Sequence, residues 1–264
     1  MAKQTALITG ASAGLGREYA QLFAKDGHDL VLVARRRERL DELARELTAA
    51  HGTACTVIAA DLVAPSAARL IADQVQAAGL AIDFLVNNAG FGKRGSFAQS
   101  EVRPQLEMID VNVRALVELT HLFLPGMLER KQGRILNIAS MAGFVPGPFM
   151  ATYYASKAFV LSFTEALAQE LHGTGVTVTA SCPGPTATEF GDVAGSSKSN
   201  LFKRHVADAA SVARHGYRAM LAGKVVAIPG LQNKLSVQSV RIAPRAAVRA
   251  ISGKLNSDRA PDRH

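Results

Sequence analysis

Thr5-Ala6-Leu7-Ile8-Thr9-Gly10-Ala11-Ser12-Ala13-Gly14-Leu15-Gly16-Arg17-Glu18 is the stretch that decides the fold. A short aliphatic and β-branched run ends in three glycines, and a stretch with helical period starts among them, over residues 14–25. Glycine is needed where backbone turns sharply and approaches a ligand closely, and the helix that follows offers free amides and a positive dipole end to an anion. Strand, glycine turn and helix in this order predict a cradle for the pyrophosphate of a dinucleotide, built from Gly10, Ser12, Gly14, Leu15 and Gly16. The spacing is G-x-x-x-G-x-G, an imperfect match to the general G-x-G-x-x-G fingerprint. Close packing of the helix on its strand is the competing reading of the same glycines.

Outward from this turn the chain alternates strand-length apolar runs with longer amphipathic stretches. The runs fall at residues 6–9, 30–33, 56–59, 84–86, 135–138, 176–179 and 225–228. The helical patterns fall at 14–25, 37–50, 67–78, 104–130, 152–171 and 208–221. Runs that are apolar throughout fit a parallel sheet covered on both faces, and regular alternation without a linker predicts one doubly wound, Rossmann-type α/β domain with a seven-stranded parallel sheet. We place this dinucleotide-binding domain at residues 1–230, with a Gly/Ser-rich loop near 189–204 as a lid, and a basic C-terminal appendage at 231–264.

The 264 residues, 48% hydrophobic, are enough for a full core without disulfide or metal support. Cys55 and Cys182 lie far apart and outside any zinc-like spacing, so no metal is expected and a reducing cytoplasmic location is. No run reaches the roughly 18 apolar residues of a membrane span, and the first residues do not read as a signal peptide. The net charge of +8 is uneven: residues 1–197 carry 17 Lys/Arg against 19 Asp/Glu, and residues 198–264 carry 13 against 3. No nucleic-acid reading motif accompanies the basic end, so no nucleic-acid partner is expected. Around Pro244, Arg241, Arg245 and Arg249 recur with Val237, Val240, Val248 and Ile251 between them, a basic amphipathic pattern compatible with weak peripheral membrane contact or with a packed or solvated tail.

The second apolar run ends Val33-Ala34-Arg35-Arg36-Arg37. Where an NAD-binding fold places a carboxylate for the ribose 2′-hydroxyl, this chain has guanidiniums, which suit a 2′-phosphate. Three cations at a helix start oppose its dipole, so a purely solvated role explains them poorly. Arg35 and Arg36, with Ser12, therefore point to NADP(H). Further on, Thr152-Tyr153-Tyr154-Ala155-Ser156-Lys157 opens a helix. A Tyr and a Lys at i, i+4 share a face, where the ammonium can favour the phenolate of a residue that otherwise titrates near pH 10. By spacing alone Tyr154, at i, i+3, is an equal candidate.

Taken in order, Thr9-Gly10-x-x-x-Gly14-x-Gly16, Asp61-Leu62, Asn87-Asn88-Ala89-Gly90, Asn112, Ser140, Tyr153-x-x-x-Lys157 and Pro183-Gly184 resemble the classical short-chain dehydrogenase/reductase family, from Thr5 to about Thr188. The resemblance accounts for the glycine spacing and selects Tyr153 over Tyr154. It implies that Tyr153 exchanges a proton with the substrate oxygen while hydride moves to or from the nicotinamide. Lys157 would bind the nicotinamide ribose and lower the Tyr153 pKa, Ser140 would hold the substrate carbonyl, and Asn112 would anchor a water in a proton relay. Asp61 and Leu62 would meet the adenine, and Asn88, Ala89 and Gly90 would line the adenosine end. Pro183, Gly184 and Thr188 would contact the nicotinamide half. Individually Ser140 also reads as a turn cap, Asn112 as a satisfied helix amide and Asp61 as a turn acid.

Between Ser140 and Tyr153, and at Phe91, the side chains are apolar or aromatic, which favours a hydrophobic carbonyl or alcohol; Lys93 and Arg94 keep an acidic or acyl-carrier substrate open. The expected activity is an NADP(H)-dependent carbonyl reductase working reversibly as an alcohol dehydrogenase. The alternative is a catalytically weak NADP(H)-binding regulatory protein, which has no physical need of the proton-transfer set. The resemblance also implies a homodimer or homotetramer through the long helices at 104–130 and 152–171.

Overall fold

The structure, a computed structural model, describes residues 3–196 and 206–257. Strands β1 (Thr5–Thr9), β2 (Asp29–Ala34), β3 (Cys55–Ala59), β4 (Phe84–Asn87), β5 (Gly133–Ile138), β6 (Val176–Ser181) and β7 (Val226–Ala227) form one parallel sheet in the order β3-β2-β1-β4-β5-β6-β7. Between them run α1 (Gly14–Lys25), α2 (Arg37–His51), α3 (Ala67–Ala77), α4 (Val102–Ile109), α5 (Ala115–Glu129), α6 (Ala151–Glu170), α7 (Phe190–Val193) and α8 (Ala209–Leu221). The expected doubly wound fold is present. The chain winds outward from β1 to β3, crosses to β4 and winds outward to β7, so the order reverses between β1 and β4. Such a reversal opens a crevice at the carboxyl ends of the strands.

Side chains alternate across each strand, which sorts the apolar runs into two cores. Ala6, Ile8, Leu30, Leu32, Val86 and Leu136 pack under α1, α2 and α8, whereas Leu7, Val31, Val33, Leu85 and Ile135 pack under α3 and α5. Leu32 is fully buried in the first of these. Leu32→Ala is expected to cost about 2–5 kcal/mol by lost transfer energy and a residual cavity. Urea unfolding checks this, and a loss below about 1 kcal/mol would show that the face is not close-packed.

Two regions differ from the sequence expectation. Residues 104–130 are not one regular helix: a π turn, Asp110–Arg114, joins α4 to α5 and carries the buried Asn112. One-turn widenings of this kind recur at functional sites and leave no mark on a 3.6-residue hydrophobic pattern. Residues 231–256 fold as α9 (Leu231–Ile242) and α10 (Arg245–Asn256), and these helices line the same cavity as the crevice. Pro244 forces Ala243 into an extended conformation, which ends one helix and redirects the chain into the next. Val237 and Val248 are thereby buried, and all four apolar residues of the basic pattern line the cavity, while Arg241, Arg245 and Arg249 stay exposed. Of the expected lid, residues 189–196 contain α7, and 197–204 lie outside the described residues. Val102, Leu106, Ile109 and Phe159 on α4 and α6 are exposed. Among the described residues no helix is long and apolar enough to cross a membrane.

Candidate active site

The first six strands each deliver candidate residues from their carboxyl ends: Gly10 after β1, Arg35 after β2, Asp61 after β3, Asn88 after β4, Ser140 after β5 and Pro183 after β6. They meet in one cavity of about 990 Å³. Its walls include Gly10, Ser12, Gly14 and Leu15; Arg35, Arg36, Asp61 and Leu62; Asn88, Ala89 and Gly90; Ser140, Tyr153 and Lys157; and Pro183, Gly184 and Thr188. Gly16 and Asn112 lie behind the wall rather than in it.

The glycine turn is shaped for close approach. Gly10 has φ +67°, and a Cβ there would lie 2.8 Å from Asn88 Nδ2. A Cβ at Gly16 would overlap the Gly10 carbonyl, so this glycine serves helix-on-strand packing, the competing reading given above. Thr9 and Asn88 stitch β1 to β4 where the order reverses. Thr9 Oγ1 accepts from the amides of Asn88 and Ala89, both at 3.0 Å, and Asn88 Nδ2 donates to the Thr9 carbonyl at 2.8 Å. The first turn of α1 has no side-chain cap and no acidic residue, which leaves its amides open to an anion. These features fit a dinucleotide.

Beyond β2, Arg35 is exposed and has no ion pair among the described residues. Arg36 Nη2 donates to Ser12 Oγ at 3.3 Å, and both Nη atoms of Arg36 donate to Glu189 Oε2 at 3.1 Å. Arg39 Nη1 donates to Glu189 Oε1 at 2.6 Å. Arg39 and then Arg36 hold the Glu189 carboxyl below the usual carboxylate range. Asp61 Oδ1 accepts from the Val63 amide at 3.1 Å, an Asx turn that also presents Asp61 to the cavity.

At the centre, Tyr153 and Lys157 share the buried face of α6. The Tyr153 ring packs against Phe190, with centroids 5.2 Å apart, and against Tyr154 at 6.0 Å. Lys157 Nζ lies 5.9 Å from the Tyr153 ring centroid and donates to the Ile138 carbonyl at 2.6 Å. Burial lowers the Lys157 ammonium to about 8. Burial also pushes the Tyr153 phenol above its ordinary value, while a hydrogen bond with Ser140 acts against the rise. Lys157 is not among the groups that shift this phenol in the protein alone, so the expected depression is not seen there. Ser140 Oγ also accepts from the Ala142 amide at 3.1 Å, so it caps its turn and faces the cavity at once.

Asn112 is held on three sides: Oδ1 accepts from the Phe91 amide, and Nδ2 donates to the Phe91 carbonyl and to Ser156 Oγ, each at 3.0 Å. A Cβ added at Gly90 would lie 3.0 Å from Asn112 Oδ1 and 3.4 Å from Lys157 Nζ, so both groups face the space this glycine leaves. Tyr154 has other work. Its hydroxyl donates to Asn256 Oδ1 at 3.1 Å, and Asn256 Nδ2 donates to the Pro148 carbonyl at 3.0 Å, which fastens the end of α10 to α6 and the segment before it.

Sequence reasoning missed Asn256, Phe190 and Glu189, whose partners are distant in the chain. Arg94, considered as a substrate anchor, donates from Nε to the Gly195 carbonyl at 2.9 Å and from Nη1 to the Asn256 carbonyl at 3.0 Å, tying together two covers of the cavity. Lys93 is exposed on the cavity wall. Phe91, Val145, Met150, Phe190, Val237 and Val248 give the cavity apolar lining. No group of three or more His, Cys, Asp or Glu side chains among the described residues can hold a metal ion.

A short-chain dehydrogenase from Sphingobium yanoikuyae, solved in complex with NADPH, is 33% identical, with a TM-score of 0.82 over 99% of this chain and 100% of that one. A short chain dehydrogenase/reductase from Burkholderia phymatum, solved in complex with NAD, is 26% identical, with a TM-score of 0.82 over 89% and 92%. In sequence, the very-long-chain 3-oxoacyl-CoA reductase of Anas platyrhynchos is 38% identical over 198 residues, 71% of this chain and 61% of that relative. The chain thus spans about three fifths of that relative's length. The short chain dehydrogenase model matches residues 4–198, and by that match the chain belongs to the short chain dehydrogenase family.

Proposed function

We propose that the protein is an NADP(H)-dependent oxidoreductase that interconverts a carbonyl and an alcohol on a hydrophobic small molecule, with Tyr153 as proton donor and acceptor. The observation that carries this reading is a single cavity lined by Arg35, Arg36 and the glycine turn, by Ser140, Tyr153 and Lys157, and by apolar side chains of α9 and α10. A bound nicotinamide cofactor supplies or accepts the hydride. The turn and the α1 amides receive its pyrophosphate, and Ser12, Arg35 and Arg36 receive the 2′-phosphate. Asp61, Leu62, Asn88, Ala89 and Gly90 surround the adenosine, and Lys157, Pro183, Gly184 and Thr188 surround the nicotinamide half.

Ser140 orients the substrate oxygen toward the Tyr153 phenol. The protonated phenol is the donor form for a nascent alkoxide in reduction, and its phenolate is the acceptor form in the reverse direction. Lys157 would replace the proton through a water held by Asn112, since both side chains border the space beside Gly90. The apolar walls, and the acyl chain in the name of the Anas relative, support a hydrophobic substrate. The Sphingobium neighbour's NADPH supports the phosphate-bearing cofactor. The Burkholderia neighbour's NAD leaves the fold neutral between the two cofactors, so the NADP(H) reading rests on the arginines. Self-association as a homodimer or homotetramer would cover the exposed apolar side chains of α4 and α6.

The test is a panel of aliphatic ketones, aldehydes, steroid ketones and 3-oxoacyl thioesters incubated with NADPH or NADH, following loss of reduced-nicotinamide absorbance. Turnover on a hydrophobic member with NADPH is the expected result. Tight NADPH binding with no turnover on any member favours the binding-only alternative. For the cofactor itself, Arg35→Ala removes one charge-assisted contact, so NADPH affinity is expected to fall about tenfold or more while NADH affinity stays nearly unchanged. Titration calorimetry with both cofactors checks it, and equal losses would contradict the assignment.

A further inference from the structure

The segment after β6 joins the two ends of the cavity through three consecutive residues. Thr188 packs on the glycine turn, where a Cβ added to Gly14 would lie 3.2 Å from its side chain. Glu189 reaches the arginines after β2, accepting from Arg36 at 3.1 Å and Arg39 at 2.6 Å. Phe190 turns the other way and packs on the Tyr153 ring, with centroids 5.2 Å apart. The backbone supports this crossing: Thr188 Oγ1 accepts from the Phe190 amide at 3.3 Å, and the Glu189 carbonyl accepts from the Val193 amide at 3.0 Å. One carboxylate therefore spans two guanidiniums across the mouth of the cofactor crevice, and its chain neighbour touches the catalytic tyrosine.

Resting on the NADP(H) reading above, we propose that Glu189 is a specificity-determining residue that straps a phosphate-bearing cofactor into the crevice through Arg36 and Arg39. Arg36 is shared: it donates to Ser12 on the cofactor side and to Glu189 on the strap. A 2′-phosphate taken by Arg35, Ser12 and Arg36 fixes that guanidinium, and the fixed guanidinium holds Glu189 more firmly. NAD(H) has no phosphate to do this, so its retention depends less on the strap. Charge supports the arrangement. Arg35, Arg36 and Arg39 carry three positive charges, Glu189 supplies one negative charge, and a phosphate monoester supplies nearly two. The set is close to neutral only when carboxylate and phosphate are both present. A competing role, with Glu189 as a stand-in that the phosphate must displace, predicts the opposite effect on affinity.

The test uses the full-length protein loaded with NADPH or NADH and follows release by fluorescence after rapid mixing with excess oxidised cofactor. Exposed ion pairs are individually weak, so the two contacts together predict NADPH release about three- to tenfold faster in Glu189→Gln. Arg39→Ala is expected to accelerate release in the same range, and the double variant to show less than the product of the two effects, because both remove one contact. NADH release is expected to change less than about twofold. Unchanged or slower NADPH release in Glu189→Gln overturns the strap, and so does equal acceleration for both cofactors. A wild-type protein that does not prefer NADPH overturns the underlying cofactor reading and the strap with it. Preference for NADPH with unaltered release from Glu189→Gln overturns the strap alone.

Discussion

Tyr153→Phe is expected to keep cofactor affinity and to lose turnover by about 10²–10⁴-fold or more. The substitution leaves the ring between Phe190 and Tyr154 and removes only the phenolic proton that the proposed reaction transfers. Steady-state rates with NADPH and the best carbonyl of the panel, alongside a binding titration, separate the two effects. Near-normal turnover would remove Tyr153 from the mechanism. Tyr154→Phe is the matched control, since its hydroxyl serves Asn256 on α10 rather than the substrate. It leaves Asn256 Oδ1 short of a donor, which costs about 1–3 kcal/mol of stability, with a mild effect on rate. Comparable rate losses in both variants would mean that the anchoring of α10, and not proton transfer, limits the reaction.

The contrast between these neighbouring tyrosines shows where sequence stops being informative. Their spacings to Lys157 are both helical, so pattern alone left them equivalent, and a family resemblance separated them. The structure supplies the physical difference: Tyr154 is engaged by a residue 102 positions away, near the end of the described chain. The sheet was legible because its central strands β1, β2, β4, β5 and β6 are apolar runs buried along most of their length, and the crevice because the turns after β1, β3, β4 and β6 carry Gly, Asp, Asn or Pro. Asn112 was legible as a residue but not as a π turn, because one extra residue in a helical turn leaves the apolar pattern on either side intact. Residues 231–256 were left open for a related reason. Their valines and arginines fit a lipid-facing helix as well as a packed one, and the bend at Pro244 and the anchoring of Asn256, which set the valines on the cavity, are not visible in the pattern. Glu189 gave no local signal, since its partners Arg36 and Arg39 lie more than 100 residues earlier and meet it through the winding of the sheet.

Lys157→Met is expected to lower turnover at least about 100-fold and, without cofactor, to raise stability by about 1 kcal/mol at pH 7. An ordinary lysine titrates near 10.5, and burial brings Lys157 to about 8, so holding it charged inside the folded protein at pH 7 costs roughly 3 kcal/mol. Methionine avoids that cost and fills a similar volume, but it leaves the Ile138 carbonyl without its donor, a loss of about 1–3 kcal/mol that offsets most of the gain. The pH dependence isolates the charge. Because the folded form releases the Lys157 proton at lower pH than the unfolded chain does, the unfolded chain binds more protons at this group between about pH 8 and 10.5, and the Lys157 contribution to stability rises across that window. The Lys157→Met protein lacks that contribution. The other groups that titrate there are common to both proteins, so the variant's advantage is expected to shrink from pH 8 upward and to reverse before about pH 10.5. Urea unfolding at several pH values measures it. A difference that stays constant with pH would show that Lys157 is not under the strain its burial implies. A less stable variant at pH 7 would show that the hydrogen bond to Ile138 outweighs the cost of the buried charge. The expected pattern, stability gained at neutral pH with activity lost, places Lys157 among residues kept at an energetic disadvantage because the proton path requires them.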